Sequence, residues 1–190
     1  LVYVPGSAPL VINKNTRVIA RMQDLTHKPL TGANNPPVIS TWSGPIAVTL
    51  FTSIPSLIVS EIMYHPDAPL NSTNSAKSYE FVEFKNTGTT PIDLNGFTLS
   101  GNVDFNFTGS AVTTLAPGAY MLLVSDRIAF TSRYGALPNI AGQYTGSLNN
   151  GGGHLLLTGP AKEPILDFNY DNKWYPITDG EGFSLTAVNE

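Results

Sequence analysis

Apolar and polar positions along this chain alternate in short runs, and Gly and Pro interrupt them every several residues. Val18, Ala20 and Met22 alternate with Arg17, Ile19 and Arg21, and Ile46, Val48 and Leu50 repeat the pattern. Leu166, Phe168 and Tyr170 alternate with Ile165, Asp167 and Asn169, and Phe183, Leu185 and Ala187 close the chain in the same way. A period of two is that of a strand with one covered face. Leu57–Tyr64, Tyr79–Lys85, Tyr120–Val124 and His154–Thr158 are denser in apolar residues, as strands covered on both faces are. Asn95-Gly96, Asn150-Gly151 and Pro117-Gly118 supply turn chemistry between them, the last suited to a type II turn. Only one segment reads as helix: Ser125 caps a short run through Asp126, Phe130 and Tyr134, and Gly135 ends it. Two helical turns in such a chain predict a crossover between sheets. The fold class is all-β, a sandwich.

The pattern breaks once. Ile54-Pro55 separates two sets of strands, so a short linker at 54–56 divides residues 1–53 from residues 57–190. The first part offers at most three strands and a polar stretch, Lys28–Thr41, containing Pro36-Pro37. Three strands bury little apolar area for their entropy cost. This part reads as an incomplete β module that leans on neighbouring sequence.

Composition narrows the function classes. Only 13% of the 190 residues are charged, so Thr, Ser, Asn and Gly finish the surface, as on many extracellular β-proteins. The net charge is −4 and the basic residues are scattered, with Arg17, Arg21 and Lys28 the nearest to a cluster. A phosphate-binding groove needs more, which excludes nucleic acid as the expected partner. There are no cysteines, so disulfide frameworks, thiolate metal sites and cysteine nucleophiles are absent. No run approaches the length of a membrane-spanning helix, so no membrane insertion is expected. A chain opening at Leu1 on structured sequence reads as a piece of a longer protein.

From residue 57 onward several motifs occur in order. They are Ile58-Val59-Ser60-Glu61-Ile62-Met63-Tyr64, Glu80-Phe81-Val82-Glu83-Phe84-Lys85-Asn86, Ile92-Asp93-Leu94-Asn95-Gly96-Phe97-Thr98-Leu99 and Leu115-Ala116-Pro117-Gly118-Ala119-Tyr120. Trp174 through Asp179-Gly180 to Gly182-Phe183-Ser184-Leu185 completes the series. Together they resemble the lamin tail domain, in its bacterial form. The resemblance implies an immunoglobulin-like β-sandwich, found in bacteria within large exported proteins beside catalytic modules. Heptads and a basic localisation run are missing, so a nuclear filament role is not expected. Residues 1–53 resemble the small fibronectin-like module at the C-terminus of chitobiase-type glycosidases, through Ala8-Pro9-Leu10, Thr16–Arg21 and Trp42-Ser43-Gly44-Pro45.

No catalytic signature emerges. His27, His65 and His154 lie far apart, without the close pairing of zinc ligands. Glu61, Glu80 and Glu83 are the carboxylates of most interest, but Glu80 and Glu83 fall on opposite faces of a strand unless a bulge intervenes, so they form no presumptive acid/base pair. The simpler role is a carboxylate accepting hydrogen bonds from a neighbouring loop. Asp171, Asp179 and Glu181 offer oxygens on loops, as Ca²⁺ requires, though loop aspartates more often form turns. Trp42, Tyr170 and Trp174, with Tyr144 and Tyr175, are rings a sugar could stack on, or rings that cap a core edge. Gly151-Gly152-Gly153 lacks the Lys-Ser/Thr of a phosphate loop. Asn71-Ser72-Thr73 and Asn106-Phe107-Thr108 are glycosylation sequons, relevant only to a eukaryotic route. The expectation is a non-catalytic interaction or spacer module of an exported, extracellular or cell-surface bacterial protein. Its partners are domains of the same chain or cell-surface proteins, and it needs no cofactor. The alternative is a carbohydrate-binding module of a secreted hydrolase.

Overall fold

The computed structural model describes residues 4, 6–26, 40–70 and 72–188. His27, Lys28, Pro36-Pro37 and Asn71 of the first sequon lie outside the described residues. The chain divides into two units, Leu1–Ser53 and Ile54–Glu190. In the first, β1 (Thr16–Ala20) and β2 (Ile46–Leu50) pair antiparallel, Thr16 opposite Leu50 and Ala20 opposite Ile46. Met22 lies past the end of β1, and a single bridge, Gln23 to Trp42, prolongs the ribbon. Asn15 ties its end, its Oδ1 accepting from the backbone N–H of Thr52 at 2.8 Å and of Ser53 at 3.1 Å. Among the described residues of this unit none is buried.

The second unit holds twelve strands, one α-helix and two short 3-10 turns among its described residues. The strands and helix are β3 (Leu57–Met63), β4 (Phe81–Asn86), β5 (Ile92–Asp93), β6 (Thr98–Gly101), β7 (Val103–Asn106), β8 (Thr114–Leu115) and β9 (Tyr120–Val124), then α1 (Arg127–Tyr134). β10 (Ile140–Gln143), β11 (Thr145–Gly146), β12 (Gly153–Thr158), β13 (Pro164–Tyr170) and β14 (Leu185–Thr186) follow. One five-stranded sheet has the order β10-β9-β4-β3-β14 and the other β11-β7-β6-β12-β13, while β5 and β8 form a small ribbon. The sheets enclose a core that includes Val82 and Phe84 of β4, Met121 and Leu123 of β9, Leu99 of β6 and Leu155 and Leu157 of β12. Burying each such side chain contributes about 1.5–3 kcal/mol.

A bulge at Ser60 sets the register of β3. Leu57 and Val59 face this core, then the pairing with β4 shifts between Val59 and Glu61, and Ile62 and Tyr64 take over the inward positions. One extra residue moves the inward set from odd to even numbers. Met63, Phe81, Leu122 and Val124 therefore face the opposite side of the sheet. There Phe130 of α1 covers them, its ring edge-on to Phe81 at 5.5 Å. The dense apolar runs of β4 and β9 thus have two buried faces.

The helix differs from the sequence expectation in two respects. It joins β9 to β10, which run parallel as neighbours in one sheet, so it crosses over within a sheet and not between sheets. Its N-cap is Asp126, not Ser125: the carboxylate accepts from Ile128 and Ala129 N–H, and a free carboxylate also suits the positive end of the helix dipole. Gly135 ends it with φ 87° as expected. Gly118 takes φ 71° in the Pro117-Gly118 turn, whereas in the glycine run the positive φ falls on Gly152 and not on Gly151. The last strand is shorter than the alternation suggests, since Phe183 lies outside β14. No described helix is long and apolar enough to cross a membrane.

Candidate functional site

The segment after β13 builds the surface of interest. Asp171 opens it as a turn former, its Oδ1 accepting from Lys173 N–H at 2.9 Å and its carbonyl from Trp174 N–H at 3.1 Å. A 3-10 turn, Pro176–Thr178, follows. Thr178 is buried, and its hydroxyl lies 2.7 Å from that of Tyr64 at the end of β3. Tyr64 in turn packs against Tyr170, ring centroids 5.4 Å apart. Burial holds both phenols above the ordinary tyrosine range, so they stay neutral hydrogen-bonding groups. Tyr170, a candidate for sugar stacking, is 2% exposed and donates to the Asn149 carbonyl at 3.1 Å. It supports the segment from beneath and offers no open face to a ligand.

Above this support the segment leaves large apolar side chains in solvent. Trp174, Tyr175, Ile177 and Phe183 are 53–57% exposed and Val188 80%. They border two adjoining clefts that share Tyr175, Leu185 and Thr186. The larger, about 480 Å³, opens where the sandwich edge parts between β3–β14 and β13, with Val59, Ile165, Leu166 and Phe168 on its walls. Trp174 stands on its border, and Glu61 and Asp167 contribute carboxylates. Glu61 accepts from the Ser184 hydroxyl, and Asp167 pairs with His154 Nε2 at 2.8 Å, both of these exposed.

On another side of the same segment, Asp179 holds His65. Its Oδ1 lies 2.6 Å from His65 Nδ1, and its Oδ2 accepts from Asn172 Nδ2 at 2.8 Å. The His65 hydrogen bond, then that of Asn172, holds the Asp179 carboxyl below its usual range. An ionised carboxylate only accepts, so the shared proton sits on His65 Nδ1, which donates it to Asp179. Gly180, at φ 91°, lies flat against this ring: a Cβ there would come within 3.1 Å of it.

His65 lines a polar cavity of about 380 Å³ with Glu80, Lys77, Ser147, Asn149 and Asn150 among its walls. Glu80 is 3% exposed, and its Oε2 accepts from the Tyr144 hydroxyl at 3.1 Å and from Leu148 N–H at 3.0 Å. It ties the 144–148 loop to the start of β4, the role read for a strand-end carboxylate from sequence. Desolvation pushes its carboxyl up, opposed by these two hydrogen bonds and by Lys77 and His65. Glu83, on the other face, takes the Ser60 hydroxyl at 2.8 Å and stands opposite Glu61 across the ladder.

Trp42 belongs to the first unit, 39% exposed, with the Arg21 guanidinium 4.4 Å over its ring. Of the calcium candidates, Asp179 has both oxygens engaged, Asp171 caps its own turn, and Glu181 is exposed. Among the described residues no three His, Cys, Asp or Glu side chains gather as a metal site. Reasoning from sequence missed the exposed Ile177 and Val188 and the pairing of His65 with Asp179, which lies 114 residues away.

Two packed sheets around one apolar core, and polar groups engaged mainly in tying loops, define an immunoglobulin-like β-sandwich. A model of the Lamin Tail Domain matches residues 52–171. The chain belongs to the lamin tail domain family, whose immunoglobulin-like domain is non-catalytic. No curated protein and no solved structure matches the chain. The matched range ends at Asp171, so Trp174 and its apolar neighbours lie beyond it.

Proposed function

We propose that this chain is an interaction module of a larger exported bacterial protein, contacting a neighbouring domain or a cell-surface protein through the apolar surface around β14. One observation carries the reading: Trp174, Tyr175, Ile177, Phe183 and Val188 are all at least half exposed and line two adjoining clefts. A contiguous apolar surface of this kind marks a binding site in a soluble protein. Aliphatic Ile177 and Val188 among the rings favour a protein partner, because sugars are held by stacked aromatic faces and polar groups. The first unit, with its motifs resembling a fibronectin-like module, then acts as an adjoining spacer.

Carbohydrate binding is the second reading, prompted by Trp174 standing beside Glu61 and Asp167. Thermal unfolding separates the two. The adjoining domains of the parent protein, at a hundred times their dissociation constant, should add about 2.7 kcal/mol and raise the midpoint by several degrees. Soluble glycans should leave it unchanged, and Trp174→Ala should abolish the domain-induced shift. A glycan shift lost in Trp174→Ala would transfer the function to the second reading.

A further inference from the structure

We propose that the open edge of β13 takes up an extended segment of a protein partner by antiparallel strand addition, and that this segment carries a lysine or arginine flanked by apolar residues. Among the described residues β12 is the only strand bonded to β13, which ends its sheet as a seven-residue edge. The other three edges of the sandwich, β10, β11 and β14, are four, two and two residues long. Short edges keep a sheet from pairing with other chains, and a long open one invites it. The register shows which backbone groups face outward. His154 donates its N–H to Asn102 Oδ1, and its carbonyl accepts from Asn102 N–H at 2.9 Å, so His154 bonds away from β13 and Leu155 towards it. Leu155 stands opposite Phe168. Phe168 therefore directs its N–H and C=O to β12, while Asp167 and Asn169 on either side of it turn theirs to the open edge.

A strand laid along β13 alternates its side chains between two faces. Those opposite Leu166 and Phe168 enter the cleft of about 480 Å³, where Val59 and Leu185 meet them, so apolar residues suit these positions. The residue opposite Asp167 lies beside its carboxylate, which is 62% exposed and pairs through Oδ1 with His154. A carboxylate accepts more than one donor, and opposite charges facing each other across a ladder stabilise it. None of the described residues lining the cleft is Lys or Arg. Residues 54–190 carry thirteen of the fourteen Asp and Glu residues but six of the ten Lys and Arg, so the field of this unit favours a cation. The same charge disfavours a second copy, because self-pairing centred on Asp167 sets two carboxylates opposite each other. The inference rests on the interaction reading above and adds how the partner is held.

The probe is the acetylated and amidated peptide Thr-Val-Lys-Val-Thr at millimolar concentration, read by amide hydrogen exchange in ¹⁵N–¹H spectra of the whole chain. Without peptide, the Asp167 and Asn169 amides should exchange faster than those of Leu166 and Phe168, and peptide should slow both. Methylating the lysine backbone nitrogen removes the N–H that meets the Asp167 carbonyl and leaves every side chain in place. It should weaken binding at least about fivefold. Thr-Val-Glu-Val-Thr should bind at least about threefold more weakly than the lysine peptide, and Asp167→Lys should reverse that preference. Equal binding of the methylated peptide, no preference between lysine and glutamate, or Asp167 and Asn169 amides that peptide leaves fast would overturn the proposal. So would slowing of these amides with protein concentration alone, the mark of a second copy. The interaction reading fails separately, if the parent domains give no shift that depends on Trp174. That shift with Asp167 and Asn169 still exchanging fast would overturn strand addition alone.

Discussion

At the scale of single residues, buried polar side chains do most of the specifying. Asn86 is fully buried at the end of β4, its Nδ2 donating to the Thr90 and Leu115 carbonyls and its Oδ1 accepting from Gly88 N–H, each at 2.9 Å. Asn86→Ala empties a fully buried site and strands three backbone groups, of which the Leu115 carbonyl is buried, so we expect a loss of about 1–3 kcal/mol in urea unfolding. Glu80 and Asp179 give opposite pH dependences. Burial raises the folded-state pKa of Glu80, so the folded protein holds that proton more tightly than the unfolded chain. The stability it contributes is present in acid and falls as pH rises through its folded midpoint. Asp179, held low by His65 and Asn172, contributes stability above the ordinary carboxylate range that is lost as pH falls. Midpoints of thermal unfolding between about pH 3 and pH 8 should therefore peak in mild acid. Glu80→Gln should remove the slope above the peak, and Asp179→Asn should soften the fall below it. The structural role of Glu80 was legible because a lone carboxylate ahead of Phe81-Val82 cannot stay buried unpaired. Its partners were not, because Tyr144 and Leu148 lie 64 and 68 residues away.

At the scale of elements, strand periodicity carried most of the fold, and its failures have local causes. β1, β2, β3, β9, β12 and β13 follow the runs that predicted them, because period-two patterning and packing agree there. Ser60 could not be read as a bulge, since the run from Leu57 to Tyr64 is apolar on both faces and hides the change of parity. β10 escaped notice because Ile140-Ala141-Gly142-Gln143 is short and contains Gly, and without it the helix had no second strand in its own sheet. The two faces of α1 should respond differently to substitution. Phe130→Ala, which empties the contact with Phe81 and Tyr134, should cost about 3–5 kcal/mol. Ile128 on the same helix is 82% exposed, and Ile128→Lys should stay within about 0.5 kcal/mol of the unaltered chain. Chemical denaturation of the two variants side by side checks the pair.

At the scale of the whole molecule, two units of unequal substance share one chain. The second encloses the apolar core, whereas no described residue of the first is buried. Residues 54–188 alone should therefore unfold cooperatively with nearly the midpoint of the full chain, a comparison calorimetry makes directly. The candidate surface was half legible: Trp174 stood out as a ring near acidic loops, but exposure follows from packing, which also drew Tyr170 into the core and left Ile177 and Val188 outside. The proposed function requires Trp174 to belong to a binding surface and not to the core edge. Urea unfolding of Trp174→Ala tests it most directly. We expect a folded protein within about 1 kcal/mol of the unaltered chain, as for a half-exposed side chain. A loss of about 3 kcal/mol or more, the cost of truncating a buried tryptophan, would contradict it.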